Sequence, residues 1–286
     1  ELYFTAGQLF LNNHVNKDIA LEYLLEAQSI FTEDYHYRYL NMVRLSIGDA
    51  YFKTGSDSLA MQLYEEVNTK LYPDDYAMHS LVDHKIAMVY KSRKDYEMAL
   101  QYFKRSIDGM CLICPEIQIH QTLIEAARTS LIIGDYKQAF SYLNRAKNIA
   151  AESESGLEKA ISSKELGEYY QVLENTDSAI YYLELAHLLE TKLGLPKRVK
   201  KTAELLSEIY YSKGEFQTAA DYLKMASQMN DSLASIEKYN EVAKLEMRFE
   251  IEKKEAVTED KPADDQPTAE PETKKEAESQ DDTKAD

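Results

Sequence analysis

Residues 48–67, GDAYFKTGSDSLAMQLYEEV, contain the pattern that decides the fold. The key positions in this stretch are Gly48, Tyr51, Ala60, Tyr64 and Val67. Intervals of three, four and seven residues place side chains on one face of an α-helix. Polar residues and Gly55 separate the first two positions from the last three. The stretch therefore predicts two helices joined by a tight turn, which is a helical hairpin.

The same pattern recurs about every 40 residues along the chain. Its other copies are Gly7, Phe10, Ala20, Leu24, Ala27; Ala87, Tyr90, Ala99, Phe103, Ser106; Ala127, Ser130, Ala139, Leu143, Ala146; Gly167, Tyr170, Ala179, Leu183, Ala186; and Ser207, Tyr210, Ala219, Leu223, Ala226. Small residues at these positions allow two helices to approach closely. The six units predict an all-α solenoid of stacked hairpins.

The turns within the hairpins carry their own signals. Gly55, Gly134, Gly214 and Asn175 follow the first helix of their units, where a left-handed residue commonly ends a helix. Asp57 and Asp177 stand at the start of second helices and are expected to cap them.

Composition limits the classes of partner. The 286 residues are 44% hydrophobic, which is sufficient for a substantial core. The formal net charge of -17 disfavours nucleic acid and anionic membrane surfaces, because both attract clustered Lys and Arg. No stretch of about 18 uninterrupted apolar residues predicts a membrane span. Because the chain begins at Glu1 without Met and enters the helical pattern at once, we expect upstream processing or trimming.

Three regions are expected. Residues 1–230 form the solenoid, and residues 231–255 form a C-terminal helix with apolar positions at Ile236, Val242 and Phe249. That helix could cap the last hairpin or pair with another copy of the chain. Residues 256–286 contain 11 acidic and 4 basic residues and almost no large apolar side chain, which predicts a disordered acidic tail. The tail could be a solubilising spacer, or it could engage a basic partner or its own solenoid.

The sequence does not contain a recognisable catalytic motif. Phosphate-loop, His-Glu-x-x-His and Gly-x-Ser-x-Gly patterns are absent, and the six histidines are scattered. Cys111 and Cys114 form a C-x-x-C pair in which two loop thiols, a local disulfide, a redox pair and a metal site all remain open. The interpretation is a non-enzymatic protein without a cofactor or metal.

These residues resemble the tetratricopeptide-repeat (TPR) family, whose consensus has Gly or Ala and Tyr in the first helix, then Ala, an aromatic residue and Ala in the second. The resemblance implies a right-handed superhelical solenoid of about six hairpins with a C-terminal capping helix. The period here exceeds the usual 34 residues, so longer helices are expected. Residues 230–255, from Asn230 to Glu255, also resemble the junction in bacterial TPR sensor kinases and membrane-tethered regulators.

The resemblance also implies that first helices line a concave face that binds partners. Transferred by repeat position, the inward side chains are Asp49, Phe52, His84, Lys85, Met88, Lys91, Glu125, Arg128, Lys164, Glu168 and Tyr211. The basic members of units three and four could hold an acidic segment or terminal carboxylate of a peptide. The alternative is that these side chains are ordinary solvated groove residues.

The functional hypothesis is a protein- or peptide-binding scaffold, serving as the sensing or interaction module of a bacterial regulatory system. A receptor for a small signal peptide and an oligomeric structural scaffold are the alternatives. Asp49, Arg128 and Glu168 stand where chaperone-tail adaptors place Asn, so binding of chaperone C-terminal tails is not expected. An extracytoplasmic or periplasmic location is favoured over a cytoplasmic one by the sensor resemblance.

Overall fold

A computed structural model of the chain describes residues 2–12, 17–30, 33–110, 119–230, 233–234 and 238. Twelve helices occupy these residues: α1 Leu2–Asn12, α2 Lys17–Ile30, α3 Glu33–Lys53, α4 Asp57–Lys70, α5 Tyr76–Ser92, α6 Tyr96–Met110, α7 His120–Ile132, α8 Tyr136–Glu152, α9 Gly156–Val172, α10 Thr176–Lys192, α11 Pro196–Ser212 and α12 216–230. No strand occurs in the described ranges. The all-α fold is confirmed.

Successive helices pair into hairpins α1–α2, α3–α4, α5–α6, α7–α8, α9–α10 and α11–α12, and each hairpin packs on the next. The predicted stack of six hairpins is therefore present, and residues Glu1–Leu233 form one compact unit. The predicted C-terminal helix and acidic tail lie almost entirely outside the described residues, as do Cys111 and Cys114. Predictions for these segments stay predictions.

The core follows the repeated pattern. Alanines at the first position of each second-helix cluster, including Ala60, Ala99 and Ala139, are fully buried. The larger residue four positions later, such as Phe103 or Leu143, is buried beside them in the first five hairpins. In the last hairpin the predicted core residue Leu223 is instead 58% exposed. Because each hairpin contributes to clusters shared with its neighbours, the core is continuous across units, which is how a repeat protein gains its stability.

In the three hairpins whose small first-helix residue is glycine, that glycine lies against the large side chain of the second helix. A Cβ atom added at Gly167 would come within 2.6 Å of Leu183 Cγ, and one added at Gly7 would come within 2.7 Å of Leu24 Cγ. At Gly48 the added atom would overlap the ring of Tyr64. The expected close approach is present, with a side chain rather than a backbone as the nearest obstacle.

Two turn predictions need correction. In the fifth hairpin the left-handed residue is Glu174, at φ 57, and Asn175 instead caps α10 by accepting a hydrogen bond from the amide of Ser178. Asp177 lies in the first turn of α10 and is not its cap. Asn175 can satisfy an exposed amide as an N-cap, whereas Glu174 cannot reach one, so the two residues divide the roles in this order.

The cap assigned to Asp57 is also wrong. The N-cap of α4 is Ser56, and Asp57 is the first helical residue, where its carboxylate accepts a hydrogen bond from Ser92 Oγ of the next hairpin at 2.9 Å. An acidic residue in the first turn still interacts favourably with the helix dipole. Gly55, Gly134 and Gly214 have φ near +80°, as predicted.

We predict that Gly48→Ala destabilises the protein by about 1–3 kcal/mol, because the new methyl group overlaps the Tyr64 ring, even though alanine is the better helix former. Urea unfolding measures the change. Gly55→Ala is the matched control: no atom lies within 4 Å of its added Cβ, so only the cost of positive φ, about 1 kcal/mol, is expected. A Gly48→Ala protein as stable as the wild type would contradict the close packing.

Candidate functional site: an ion-pair ladder along the first helices

An ion pair joins the second hairpin to the third. Lys85 Nζ on α5 lies 2.6 Å from Asp49 Oδ2 and 2.7 Å from Oδ1 on α3. Asp49 Oδ1 also accepts a hydrogen bond from the Tyr64 hydroxyl at 2.7 Å. Asp49 therefore links the close contact inside its own hairpin to the contact with the next one.

This pairing follows a rule of repeat position. In each pair, one residue directly follows the small first-helix residue of its own hairpin. Its partner lies two positions before the small first-helix residue of the next hairpin. The rule pairs Gln8 with Ser46, Asp49 with Lys85, and Arg128 with Glu165. Only the last two pairs are ionic. Arg128 donates two hydrogen bonds to Glu165, of 2.7 and 2.5 Å.

Met88 interrupts the rule because it has no charge, and Lys91 replaces it. Lys91 Nζ, one turn further along α5, lies 2.6 Å from Glu125 Oε2 on α7. Glu125 Oε1 accepts a hydrogen bond from Arg128 at 2.7 Å. Lys164 lies 4.0 Å from Glu165 and 2.6 Å from Glu168. We use the name ladder for this set of charged side chains, whose members are Asp49, Lys85, Lys91, Glu125, Arg128, Lys164, Glu165 and Glu168.

The ladder alternates in charge. Along α5, α7 and α9 its order is Lys91, Glu125, Arg128, Glu165, Lys164 and Glu168, with three cations and three carboxylates. The side chains of Glu125 and Glu165 are only 7% and 4% exposed, whereas that of Arg128 is 40% exposed. The carboxylates are thus held inside while Arg128 remains accessible from solvent.

Pairing with neighbouring charges keeps Glu125 and Arg128 ionised. Burial opposes the ionisation of Glu125, but Lys91 and Arg128 outweigh it and hold the pKa of this carboxyl below its usual value. Hydrogen bonding to Glu165 raises the pKa of Arg128. Because each buried carboxylate has a cation within hydrogen-bonding distance, the ladder satisfies its own charges.

His84 sits beside the ladder without joining it as a cation. Burial, followed by the positive charge of Lys85, lowers its pKa to about 4. Its Nδ1 lies 3.0 Å from Thr122 Oγ1 of α7, and its ring centroid lies 5.7 Å from that of Phe103. At neutral pH His84 is therefore an uncharged contact between two hairpins and not a cation available to an acidic partner.

The ladder ends at α11. The position occupied by Lys85, Glu125 and Glu165 in earlier hairpins is Leu205 here, so Glu168 pairs only with Lys164 of its own helix in the described part of the chain. Further along α11, Tyr211 is 66% exposed and packs edge-on against Phe216 at 5.3 Å.

The structure brings together most of the predicted site residues. Asp49, Lys85, Lys91, Glu125, Arg128, Lys164 and Glu168 belong to the ladder, and His84 adjoins it. Phe52 and Met88 are partly buried against the core clusters, and Tyr211 is exposed at the end of the solenoid.

Sequence reasoning missed Glu165, the partner that holds Arg128. Its signal was available, because Glu165 occupies the repeat position of Lys85 and Glu125. The buried contact of His120 Nε2 with Ser162 Oγ, at 2.7 Å between α7 and α9, was also missed.

Neither a metal site nor a membrane span is found in the part of the chain that the structure describes. No three His, Cys, Asp or Glu side chains converge there on a point that could hold an ion. No described helix combines the length and hydropathy needed to cross a bilayer.

The geometry defines a helical-repeat solenoid whose hairpins are joined along their first helices. Residues 84–108 match the model of the tetratricopeptide repeat. The third hairpin therefore contains a tetratricopeptide repeat, and the other described hairpins repeat its helical arrangement. None of the curated proteins matches the sequence significantly.

Solved structures share the fold. BtubC (BKLC) from P. vanneervenii is 18% identical with a TM-score of 0.66, covering 75% of this chain and 92% of that one. The apo quorum sensor NprR from B. thuringiensis is 17% identical with a TM-score of 0.67, covering 79% and 64%. A Rap protein complexed with Competence and Sporulation Factor is 19% identical with a TM-score of 0.61, covering 79% and 63%. At these identities the likeness concerns the fold.

We predict that Glu165→Gln lowers the free energy of unfolding by about 2–4 kcal/mol, because Arg128 loses a buried bidentate carboxylate. Combined with Arg128→Met, a double-mutant cycle should give a coupling energy above about 1 kcal/mol. The control pair is Lys200 and Glu204, 3.9 Å apart on an exposed face of α11, where coupling should stay below about 0.5 kcal/mol. Equal coupling in both pairs would refute a structural role for the ladder.

We also predict a pH dependence from His84. The unfolded histidine titrates near 6.5, and the folded one at about 4. Its neutral ring therefore contributes stability fully above about pH 6.5, and this contribution is lost as the pH falls towards 4. Urea unfolding at pH 7.5 and pH 4 should show a loss up to roughly 3 kcal/mol larger in the wild type than in His84→Gln. Equal losses in the two proteins would contradict this account.

Proposed function

We propose that the chain is a non-enzymatic scaffold that binds a protein or peptide along the first helices that carry the ladder. The observation that carries the proposal is the alternating row of charges on α5, α7 and α9, with Arg128 still 40% exposed. A surface of regularly spaced, fixed charges recognises a partner by its charge pattern and register.

The ladder suggests how an acidic segment would bind. Lys85, Lys91 and Arg128 already hold carboxylates at 2.5–2.6 Å through charge-assisted hydrogen bonds. A partner carboxylate would bind the solvent-exposed side of the Arg128 guanidinium. Alternatively, it would displace one of the chain's own carboxylates and take over its ion pair. Because replacement exposes the displaced Asp or Glu, binding of an acidic partner should loosen the contact between neighbouring hairpins.

The regulatory role belongs to this proposal. Such loosening would couple occupancy of the first helices to the curvature of the solenoid, which is a means of transmitting a signal. A receptor for a small signal peptide is the second candidate, and it draws support from the quorum sensor NprR and from the Rap protein complexed with Competence and Sporulation Factor. We further propose a bacterial regulatory system and an extracytoplasmic location, in keeping with the sensor resemblance.

A neutral pair tests the proposal without leaving one buried charge alone. A single change such as Arg128→Glu would leave Glu125 and Glu165 buried beside another carboxylate. Replacing both partners, Arg128→Gln with Glu165→Gln, removes the exposed cation together with its carboxylate, while Glu125 keeps its ion pair with Lys91. Lys200→Gln with Glu204→Gln, a partly exposed pair on α11, is the matched control.

The immobilised full chain would be exposed to cytoplasmic and envelope extracts, and captured proteins identified by mass spectrometry. We expect a partner that is retained by the control variant and whose capture falls at least tenfold in the Arg128→Gln, Glu165→Gln variant. Circular dichroism should show that this variant keeps its helices. Partners captured equally by both variants would show that binding does not use the ladder. The extract that supplies the partner tests the proposed location.

A further inference from the structure

Pairs of stacked tyrosines brace three of the hairpins. Tyr90 stacks on Tyr102, Tyr170 on Tyr182, and Tyr210 on Tyr222, with centroids 5.4–5.7 Å apart and interplanar angles of 19°, 7° and 9°. Each pair joins the first helix of a hairpin to its second helix. Offset stacking of this kind stabilises beyond the apolar area it buries.

The last of these pairs shows what surrounds the rings. The hydroxyls of Tyr210 and Tyr222 both donate to Glu184 Oε1, at 2.7 and 3.3 Å, on the second helix of the preceding hairpin. His187, one turn further along that helix, packs edge-on against Tyr222 at 5.7 Å. The second ring therefore fills a groove between two successive second helices.

In the second hairpin the second ring is missing. Tyr51 occupies the position of Tyr90 and Tyr210, but Leu63 occupies that of Tyr102 and Tyr222. By the same repeat register, Leu25 replaces Glu184 and Gln28 replaces His187. Tyr51 has no aromatic partner among the described residues.

A cavity of about 230 Å³ lies at this point between α2, α3 and α4. Its lining includes Leu25, Gln28, Tyr51 and Leu63, the four residues identified by the repeat register, together with Leu59 and Glu66. Leu25 and Leu59 are about half exposed, so the cavity opens to solvent. The apolar wall and the unpaired face of Tyr51 match an aromatic ring.

The α2 rim of this cavity is acidic. Glu22 and Glu26 lie three residues before and one residue after Leu25 on α2 and are exposed, and no ion pair involves them in the described part of the chain. Across the cavity on α4, Glu66 lines it and is paired with Lys70 at 2.9 Å. A segment that fits the cavity should therefore carry positive charge beside its aromatic residue. This requirement excludes the acidic residues 256–286 of the chain itself.

We propose that the cavity binds a tyrosine side chain from a basic segment of a partner protein. The bound ring stacks on Tyr51 and takes the place that Tyr102, Tyr182 and Tyr222 fill in their own hairpins. Lys or Arg residues on either side of it face Glu22 and Glu26. The site is formed mainly by second helices, so it is separate from the ladder and does not depend on the proposed function.

The ring-binding part of the proposal is tested with p-cresol, the side-chain analogue of tyrosine, added to the full chain carrying isotope-labelled leucine methyl groups. We expect saturable shifts of the Leu25 and Leu59 methyl resonances. Leu63→Tyr supplies the missing ring from within and should weaken p-cresol binding at least tenfold while raising the melting temperature. Leu188→Tyr, at an exposed leucine of α10, is the control and should change neither.

A second variant protects the test against misfolding of Leu63→Tyr. Tyr51→Leu removes the stacking face and should weaken p-cresol binding at least about threefold. The proposal is overturned if p-cresol produces no saturable shift in the wild-type chain, or if both variants bind it as the wild type does.

The charge requirement is tested with two capped peptides, Arg-Ala-Tyr-Ala-Arg and Glu-Ala-Tyr-Ala-Glu. We expect the basic peptide to bind at least tenfold more tightly at low salt, with the difference shrinking at high salt as the rim is screened. Replacing Glu22 and Glu26 by Gln should remove most of the difference. Equal binding of the two peptides to the wild type would overturn the assignment of a basic partner.

Discussion

The close contact between a glycine of the first helix and the large side chain of the second helix sets the geometry of three hairpins. Gly48 against Tyr64 and Gly167 against Leu183 fix the separation of the helices within a hairpin. Asp49 directly follows Gly48 and bonds both Tyr64 and Lys85, so the same contact also fixes the position from which the ladder begins. The packing of the core and the position of the first ladder residue are therefore both set by the contact between Gly48 and Tyr64.

The cations on the first helices form ion pairs within the chain, so they are not free binding groups. Lysines and arginines in a groove suggest a site for an acidic partner, yet Lys85, Lys91 and Arg128 each hold a carboxylate of their own chain. Buried carboxylates such as Glu165 would be costly without these cations. The same groups therefore stabilise the stacking of hairpins and define what a partner must match or displace.

Sequence periodicity predicted the helices and the hairpins, because helix spacing and small-residue contacts are local and repeat in phase. Most of the ladder residues were named by the family resemblance, transferred by repeat position. It could not predict the pairing. Whether Lys91 reaches Glu125 in place of Met88 depends on the offset between neighbouring hairpins, which packing decides. Likewise, the division of roles between Glu174 and Asn175 depended on which residue could reach a free amide. Internal comparison of repeats recovers some of this information, as Leu63 shows at the position of three stacked tyrosines.

The central claim is that partners engage the first helices that carry the ladder. Hydrogen–deuterium exchange of the full chain, with and without a captured partner, tests it most directly because it reports on each helix separately. The account predicts altered exchange in α5, α7 and α9, and these changes are lost in the Arg128→Gln, Glu165→Gln variant. Changes confined to second helices, or to residues 256–286, would contradict it.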